Sequence, residues 1–200
     1  MKRFSKLILL SFILFIIVGC KNIFEVETED IEYLTGKYTV EMSIKKYGKV
    51  TIEVDADKAP ITVTNFMDLV RSGAYDNNKI HRVMKDFVIQ GGDINDAKTI
   101  KGEFLANGID NDISHERGVI SMARAGDQTS GYNTGSSQFF IVVEDSTYLD
   151  NYYAGFGKVT KGMDVVDKIC KKVTNVEPTS GAVIEEADMP VIEYIKEIVK

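Results

Sequence analysis

The 200-residue chain contains no tryptophan, three prolines, two histidines and two cysteines. His81 and His115 do not form a ligand cluster with Cys170, so the sequence predicts no zinc site. Asp110 and Asp112 do not complete a calcium loop, because the glycine that such a loop requires is missing. No Ser-His-Asp ordering and no phosphate-binding glycine loop stands out. We therefore expect a protein that works without a metal or a cofactor.

Long apolar runs are also missing, except for one near the start of the chain. Residues Leu7 to Val18 are apolar and follow three basic residues, Lys2, Arg3 and Lys6. The run is too short to span the ~30 Å hydrocarbon core of a bilayer comfortably. A basic start followed by a short apolar run is typical of a signal peptide, which we predict at residues 1–19.

The apolar run ends in Ile17-Val18-Gly19-Cys20, which resembles a bacterial lipobox. In a lipobox a small residue precedes a cysteine that is lipidated and that becomes the mature N-terminus after cleavage. The resemblance implies lipidation of Cys20 and a protein held at the extracytoplasmic face of the cell membrane. Two alternatives are a plain secretory signal with a chance cysteine and an uncleaved membrane anchor.

The chain is acidic, with a formal net charge of −6. Loss of the three basic residues of the signal peptide would leave 21 basic against 30 acidic residues, a net charge of about −9. This charge argues against nucleic acid as a partner. Residues 20–36 are polar and acidic beyond Cys20, and we interpret them as a tether. Cys170 would then be the remaining thiol, and its apolar helical surroundings predict burial.

Apolar residues alternate with polar ones at the start of the remaining chain. The alternation runs from Tyr38 to Ile44 and again from Val50 to Val54, with Lys46-Tyr47-Gly48 between the two runs. This pattern predicts an antiparallel hairpin. A helix is predicted next, because Pro60 suits a first helical turn and Gly73 suits a C-terminal cap.

Short strands and one further helix are predicted in the rest of the chain. The predicted strands lie at 81–90 (two strands around a turn), 118–123 and 138–143, the loops at 93–117 and 126–135, and the helix at 162–172. The tail, 190–199, fits a strand or a helix. Many short strands with two well-separated helices favour a closed antiparallel barrel capped by helices.

Two motifs link this pattern to a known family. They are IHRVMKDFVIQGGD at 80–93 and SSQFFIV at 136–142, and the segments 118–125 and 148–159 support them. In this order the chain resembles cyclophilins, the peptidyl-prolyl cis-trans isomerases, over roughly 37–200. The resemblance implies a mainly β domain at 37–200: a closed antiparallel eight-stranded barrel capped by two α-helices, with a strand in the tail.

The activity of this family sets chemical requirements that the residues can be compared with. Rotation about a peptide C–N bond meets a barrier of ~18–20 kcal/mol, because nitrogen shares its lone pair with the carbonyl. An isomerase must stabilise a twisted amide whose nitrogen is pyramidal and basic. It needs a donor aimed at that nitrogen and an apolar cup for the proline ring. Arg82, in the first motif, is the expected donor, and its guanidinium stays charged.

The resemblance assigns the remaining site residues. Arg82, Gln90 and Phe140 are implied to be catalytic. Substrate binding is implied for Phe87, Val88, Ala123, Arg124, Ala125, Gln138, Tyr148, Leu149 and Tyr153. Each has a plainer alternative: a surface ion pair for the arginine, the ordinary core for the apolar residues, and structural hydrogen bonds for the glutamines.

Several positions depart from the common family pattern. Val88 stands where many members have methionine, Tyr148 where many have tryptophan, and Tyr153 where many have histidine. Arg124 replaces a commoner asparagine, in a strand whose main chain is expected to pair with the peptide upstream of proline. Tyr148 puts strong cyclosporin binding in doubt. The loop at 127–136 looks longer than in common members.

Together these observations predict a lipid-anchored monomer that accelerates the folding of exported proteins at X-Pro bonds. Its partners would be proline-containing segments of unfolded chains and, through Cys20, a membrane. The main alternative is a tethered chaperone or scaffold that binds proline segments with little turnover. A lipoprotein that captures a small nutrient has no supporting motif.

Overall fold

A computed structural model describes residues 32–126 and 129–199. The predicted signal peptide, Cys20 and most of the predicted tether lie outside these residues. The chain divides into two units, Met1–Glu32 and Tyr33–Lys200, and the second contains every element named below. Within the described ranges no helix has the length and apolar content needed to cross a bilayer.

Eight antiparallel strands close into a barrel in the described part of the chain. They are β1 (Lys37–Ile44), β2 (Gly48–Asp55), β3 (Asn78–Val83), β4 (Val88–Gly91), β5 (Val119–Met122), β6 (Phe139–Val142), β7 (Gly155–Lys161) and β8 (Val191–Glu197). Around the barrel the order is β1-β2-β7-β5-β6-β4-β3-β8, and β8 pairs with β1. The predicted eight-stranded barrel is confirmed, including the strand in the tail.

The first hairpin forms because most of its alternating apolar side chains, from Val40 to Ile44 and from Val50 to Val54, are buried in the core. Met42 faces Val50 across the β1–β2 pair, and both are fully buried. The connecting turn places Lys46 at φ 68°, a left-handed conformation that is uncommon for a non-glycine residue. The backbone N–H of Tyr47 closes this turn on the carbonyl of Ile44 at 3.0 Å.

Two helices cap the barrel, α1 (Pro60–Arg71) and α2 (Met163–Lys172). Pro60 occupies the first turn of α1, where a missing N–H costs nothing. The buried carboxylate of Glu103 accepts hydrogen bonds from the backbone N–H groups of Ile61 (2.9 Å) and Thr62 (2.7 Å). These bonds satisfy two donors that an α-helix leaves unpaired at its start. Helix α2 buries its apolar face through Val165, Val166 and Ile169.

Strands β4, β5 and β6 are buried on both faces, and this explains where the site lies. Ile89, Ile120 and Ile141 belong to the barrel core. On the outer face, side chains of these strands form a second apolar cluster with Ala123, which follows β5, and with Leu149; its members are Val88, Val119, Ala123, Phe140, Val142 and Leu149. Neither α-helix contributes a residue to this cluster in the described chain; loop residues Phe87, Ile113 and Tyr153 pack against it instead.

Candidate active site

A pocket of about 160 Å³ opens over the outer face of β4, β5 and β6. Its lining consists of Arg82, Phe87, Val88, Gln90, Ala123, Arg124, Phe140, Leu149 and Tyr153. Nine of the residues predicted for catalysis and substrate binding therefore meet in one cavity. Within this lining the only charged side chains are the two arginines, and the rest of the wall is largely apolar.

Phe140 is the largest side chain at the base of the pocket. It projects from the outer face of β6 and is 5% exposed. The Tyr153 ring meets it edge-on, with ring centroids 5.8 Å apart and an interplanar angle of 81°. Leu149, at the end of the short 3₁₀ turn Thr147–Leu149, is 6% exposed and closes the side. These contacts hold the Phe140 ring in one orientation, as a shaped apolar surface requires.

Arg82 enters the pocket from β3 with part of its donor capacity already used. Its Nε donates to the carbonyl of Ser180 at 2.6 Å, and its Nη1 donates to Oε1 of Gln90 at 3.1 Å. Its Nη2 lies 3.1 Å from the Met84 sulfur. The guanidinium carbon lies 5.5 Å from the centre of the Phe87 ring. Because a guanidinium has five N–H donors, one hydrogen on each terminal nitrogen remains for another acceptor.

Burial lowers the pKa of Arg82 from its ordinary value, because a half-buried charge loses hydration. Tyr153 and Tyr148 act in the opposite direction. No carboxylate forms an ion pair with Arg82 among the described residues, so its charge is not neutralised inside the pocket. The plainer alternative, a surface ion pair for this arginine, does not match the structure.

Two glutamines continue the hydrogen-bond network behind Arg82. Gln90 pairs with Arg82 across the β3–β4 ladder, and its Nε2 donates to Oε1 of Gln138 at 2.9 Å. The carbonyl of Gln138 accepts a hydrogen bond from the N–H of Ala123 at 2.9 Å. The network thus links Arg82 to the end of β5 beside the pocket, and it fixes the direction in which the guanidinium points.

The three remaining predicted binding residues lie at the edge of the pocket. Gln138 touches it through Gln90, as described. Tyr148 is 62% exposed and stacks on the Phe87 ring at 5.9 Å with an interplanar angle of 22°. Ala125 follows Arg124, and its backbone N–H donates to the Thr134 hydroxyl at 2.9 Å. That donor is already occupied, so strand pairing with a peptide at Ala125 would have to use another group.

The Arg124 side chain has a role that the sequence does not reveal. Its guanidinium carbon lies 4.6 Å from the centre of the Tyr153 ring, and 5.4 Å from those of Phe104 and Tyr132. Its Nε donates to the carbonyl of Tyr152 at 2.9 Å. The sequence suggested only a main-chain role here. The structure instead shows a side chain that braces Tyr153, one wall of the pocket.

A buried polar network lies directly behind Phe140 and was also missed. His115 is completely buried, and its ring stacks on Phe140 with centroids 6.0 Å apart. Its Nδ1 lies 2.8 Å from Oδ1 of Asp150, and its Nε2 lies 2.9 Å from the Ser121 hydroxyl. Asp150 also accepts a hydrogen bond from the Ser114 hydroxyl at 2.7 Å. Ser114, His115 and Ser121 are close in sequence, but only the fold brings Asp150 to them, because it lies 35 residues after His115.

This network contains serine, histidine and aspartate, but it is not a nucleophilic site. Ser121 is completely buried, so no substrate can reach its hydroxyl. Burial lowers the pKa of His115, although Asp150 acts against this shift. Burial opposes ionisation of Asp150, but hydrogen bonds from Ser114 and His115 hold the pKa of its carboxyl below the ordinary value. With Asp150 ionised, Nδ1 of a neutral His115 is the donor and Nε2 accepts from Ser121.

The arrangement supplies the Arg82 guanidinium, two glutamine amides that hold it in place, and an apolar surface. No group of three or more potential metal-ligating side chains occurs among residues 32–126 and 129–199. A rigid donor in a half-buried pocket stabilises charge or a lone pair that develops during a reaction, because competing water is reduced there. The cavity therefore suits a reaction in which a ring-bearing amide is twisted.

Comparisons with known proteins agree with the geometry. Residues 39–189 match the family model described as cyclophilin type peptidyl-prolyl cis-trans isomerase/CLD. The chain is 42% identical over 139 residues to peptidyl-prolyl cis-trans isomerase A of Dickeya dadantii, covering 66% of this chain and 71% of that protein. It is 38% identical over 143 residues to a Streptomyces antibioticus peptidyl-prolyl cis-trans isomerase, covering 66% and 82%.

A solved structure shows the same similarity in three dimensions. The cyclophilin type peptidyl-prolyl cis-trans isomerase of Cryptosporidium parvum, crystallised in the presence of the dipeptide Ala-Pro, superposes with a TM-score of 0.66 at 26% identity. The match covers 81% of this chain and 99% of that one. Sequence and fold comparisons therefore point to the same family.

Proposed function

The chain belongs to the cyclophilin-type peptidyl-prolyl cis-trans isomerase family, and from this premise we propose that it accelerates the folding of exported proteins at X-Pro bonds. As a member of this family it is an isomerase that acts on proline-containing peptides. The proposal adds the class of client, the site residues that act, and attachment to the outer face of the cell membrane through Cys20. Arg82, aimed by Gln90 at the edge of an apolar pocket, is the observation that supports the catalytic part.

The proposed reaction begins with the proline ring seated on Phe140. Leu149 and Tyr153 limit how the ring can lie, while the carbonyl of the preceding residue remains able to swing. As the C–N bond twists, the prolyl nitrogen becomes pyramidal and its lone pair becomes available. One of the remaining N–H groups of Arg82 donates to this nitrogen. No covalent bond forms or breaks, and no proton is transferred.

This donation lowers the barrier because it is stronger in the twisted state than in either planar state. In a planar amide the nitrogen lone pair is delocalised and is a poor acceptor. The network from Arg82 through Gln90 to Gln138 holds the donor in place before the bond twists, so little reorganisation is needed. The two glutamines are positioning residues in this scheme.

The proposed location rests on the sequence before Tyr33. A basic start, a short apolar run and the segment Ile17-Val18-Gly19-Cys20 are together typical of a lipoprotein. Uncatalysed X-Pro isomerisation takes tens to hundreds of seconds and can limit folding. An isomerase held where exported chains emerge from the membrane would shorten this slow step of their folding.

Exchange spectroscopy by NMR on a short X-Pro peptide, with and without the purified domain, tests the activity. We expect cis–trans exchange to become faster in proportion to the protein concentration. Peptide binding without acceleration would contradict the proposal and would favour a tethered chaperone with little turnover.

A further inference from the structure

Two grooves connect the proline pocket to a distant part of the surface. Phe87 lines the proline pocket and also a neighbouring groove of about 410 Å³, which we call the Thr174 groove. Val173 and Thr174 line this groove and a further one, also about 410 Å³, which we call the lysine groove. Neighbouring depressions share wall residues, so a bound chain that leaves the proline pocket past Phe87 meets first the Thr174 groove and then the lysine groove.

The lysine groove carries a local positive charge on an acidic protein. Five exposed lysines belong to its wall or to the adjoining end of α2: Lys45, Lys46, Lys168, Lys171 and Lys172. Lys168 bridges the helix and the hairpin turn, because its Nζ donates to the carbonyl of Tyr47 at 3.2 Å. None of the five pairs with a carboxylate within 4.0 Å in the part of the chain that the structure describes. Lys37, Lys49 and Lys58, elsewhere on the surface, do form such pairs.

The acidic residues along this path already have partners. Asp188, in the lysine groove, accepts a hydrogen bond from Nδ2 of Asn175 at 2.9 Å. Glu177, in the Thr174 groove, accepts one from the backbone N–H of Thr179 at 3.0 Å. Asp86 lies 3.9 Å from the ammonium of Lys85. The lining of the Thr174 groove has Lys85 against two carboxylates, whereas that of the lysine groove has three lysines against Asp188, so the excess of lysines lies at the far end of the path.

We propose that the lysine groove binds an acidic segment of the substrate chain, downstream of the proline that is isomerised. The inference rests on the proposed isomerase function and names the class of client that it favours. The direction follows from the pocket: if the peptide upstream of proline pairs beside Ala123, its downstream part leaves on the opposite side, past Phe87. Charge complementarity selects an acidic partner at the lysines.

An acidic segment should strengthen the association of the peptide with the protein and should not change the rate of rotation about the X-Pro bond. Exposed charges interact weakly one at a time, and salt screens them over a Debye length of about 10 Å at 0.1 M. An acidic segment should therefore lower KM and leave kcat nearly constant. For two or three such contacts we expect about a three- to tenfold gain in kcat/KM at low salt.

The test compares peptides that differ only in charge. The first X-Pro peptide carries two adjacent glutamates in its segment downstream of proline. The second carries two glutamines at the same positions, and the third carries the two glutamates upstream of proline. NMR exchange gives kcat/KM for each. We expect the downstream Glu-Glu peptide to exceed both others, and the advantage to vanish between about 0.02 M and about 0.5 M salt.

Charge variants locate the effect on the protein. In the double variant Lys45→Glu, Lys172→Glu, the ratio of kcat/KM for downstream Glu-Glu to Gln-Gln should fall to one or below. A milder double variant, Lys45→Gln, Lys172→Gln, should fall in between and avoids an acidic residue at the end of α2. Lys101→Glu is the matched control: Lys101 is exposed and lines neither groove, so the ratio should stay as in the wild type.

The outcomes separate this inference from the activity on which it rests. If the wild type accelerates the Gln-Gln peptide but shows no preference for Glu-Glu, the acidic-segment inference is wrong and the isomerase function stands. An equal preference for upstream Glu-Glu, or an equal loss in Lys101→Glu, also overturns it. If no peptide is accelerated, the proposed function itself fails.

Discussion

Nη1 of Arg82 donates a hydrogen bond to Oε1 of Gln90 at 3.1 Å, across adjacent positions of β3 and β4. The bond directs a half-buried guanidinium at the mouth of an apolar pocket, with two of its N–H groups still available. The side-chain amide of Gln90 is in turn fixed by Gln138 at 2.9 Å. The order of this relay predicts how strongly each substitution along it should affect catalysis.

Gln90→Leu should reduce kcat/KM by about ten- to a hundredfold, because it removes a hydrogen bond to a charged group, worth ~1.5–3 kcal/mol, and no longer fixes the direction of the Arg82 guanidinium. Gln138→Leu should cost less, since Gln138 reaches Arg82 only through Gln90. Steady-state or exchange kinetics on the two purified variants measure this order. A larger loss in Gln138→Leu than in Gln90→Leu would mean that Gln138 contacts the substrate itself.

Phe140→Leu should raise KM and lower kcat/KM by about two- to tenfold, because the proline ring loses an aromatic surface worth ~0.5–1.5 kcal/mol. Phe156→Leu is the control, since Phe156 is a completely buried phenylalanine of the barrel core and lines no part of the pocket. Both variants should lose about 1–3 kcal/mol of stability. Denaturation and kinetics together decide: equal KM changes in the two variants would place Phe140 in the ordinary core.

Activity should be nearly independent of pH between about 6.5 and 8, because no proton transfer is involved and arginine stays charged. Burial lowers the pKa of both His81 and His115, which favours the neutral form of both histidines in this range. A profile of kcat/KM against pH checks this. A bell-shaped profile centred near neutrality would reveal an acid–base group that the scheme lacks.

Stability should depend on pH in a different window. Since the pKa of His115 is lower in the folded than in the unfolded state, the unfolded chain binds more protons as pH falls below about 6.5. The free energy of unfolding should therefore be constant above that pH and should decrease below it. His115→Gln should flatten the decrease. A stability that rises between pH 7 and 6 would mean that the attraction of Asp150 outweighs burial.

Cys20→Ala should release the protein from the membrane fraction of cells, because it removes the proposed lipid attachment. Cys170→Ala is the matched control: this half-buried thiol, whose pKa burial raises to about 11, lies in α2 and should not affect attachment. Fractionation with detergent extraction measures both. If Cys20→Ala remains in the membrane as before, an uncleaved anchor replaces the lipoprotein hypothesis.

Periodicity in the sequence predicts most of the fold but not strand β7. Its sequence, Gly155-Phe156-Gly157-Lys158, has little of the apolar alternation that marks the first hairpin. Glycine is needed there for packing: a Cβ at Gly157 would lie 2.3 Å from the carbonyl oxygen of Glu53 on β2. Where two strands approach this closely only glycine fits, so the apolar side chain by which a strand is recognised in the sequence is missing. The resemblance to the family, and not the apolar pattern, predicted that the barrel has eight strands.

The candidate site shows a similar division. The two motifs contain Arg82, Phe87, Val88, Gln90 and Phe140, and the two supporting segments, 118–125 and 148–159, contain the other residues that line the pocket. They do not predict the support behind Phe140, since His115, Ser121 and Asp150 lie on separate segments and meet only in the folded barrel. The brace from Arg124 to Tyr153 depends on the loop conformation, which local pattern does not determine.

The central claim is that Arg82 acts in the twisted state, and its substitution tests this most directly. For Arg82→Ala we predict that kcat and kcat/KM fall together by two to three orders of magnitude, ~2.7–4 kcal/mol, while peptide affinity changes little. Arg82→Lys should recover little activity, because an ammonium lacks the planar fork that bonds Gln90. The measurement is the isomerisation rate and the binding of one X-Pro peptide by wild type and both variants. Full activity in Arg82→Ala would contradict the account.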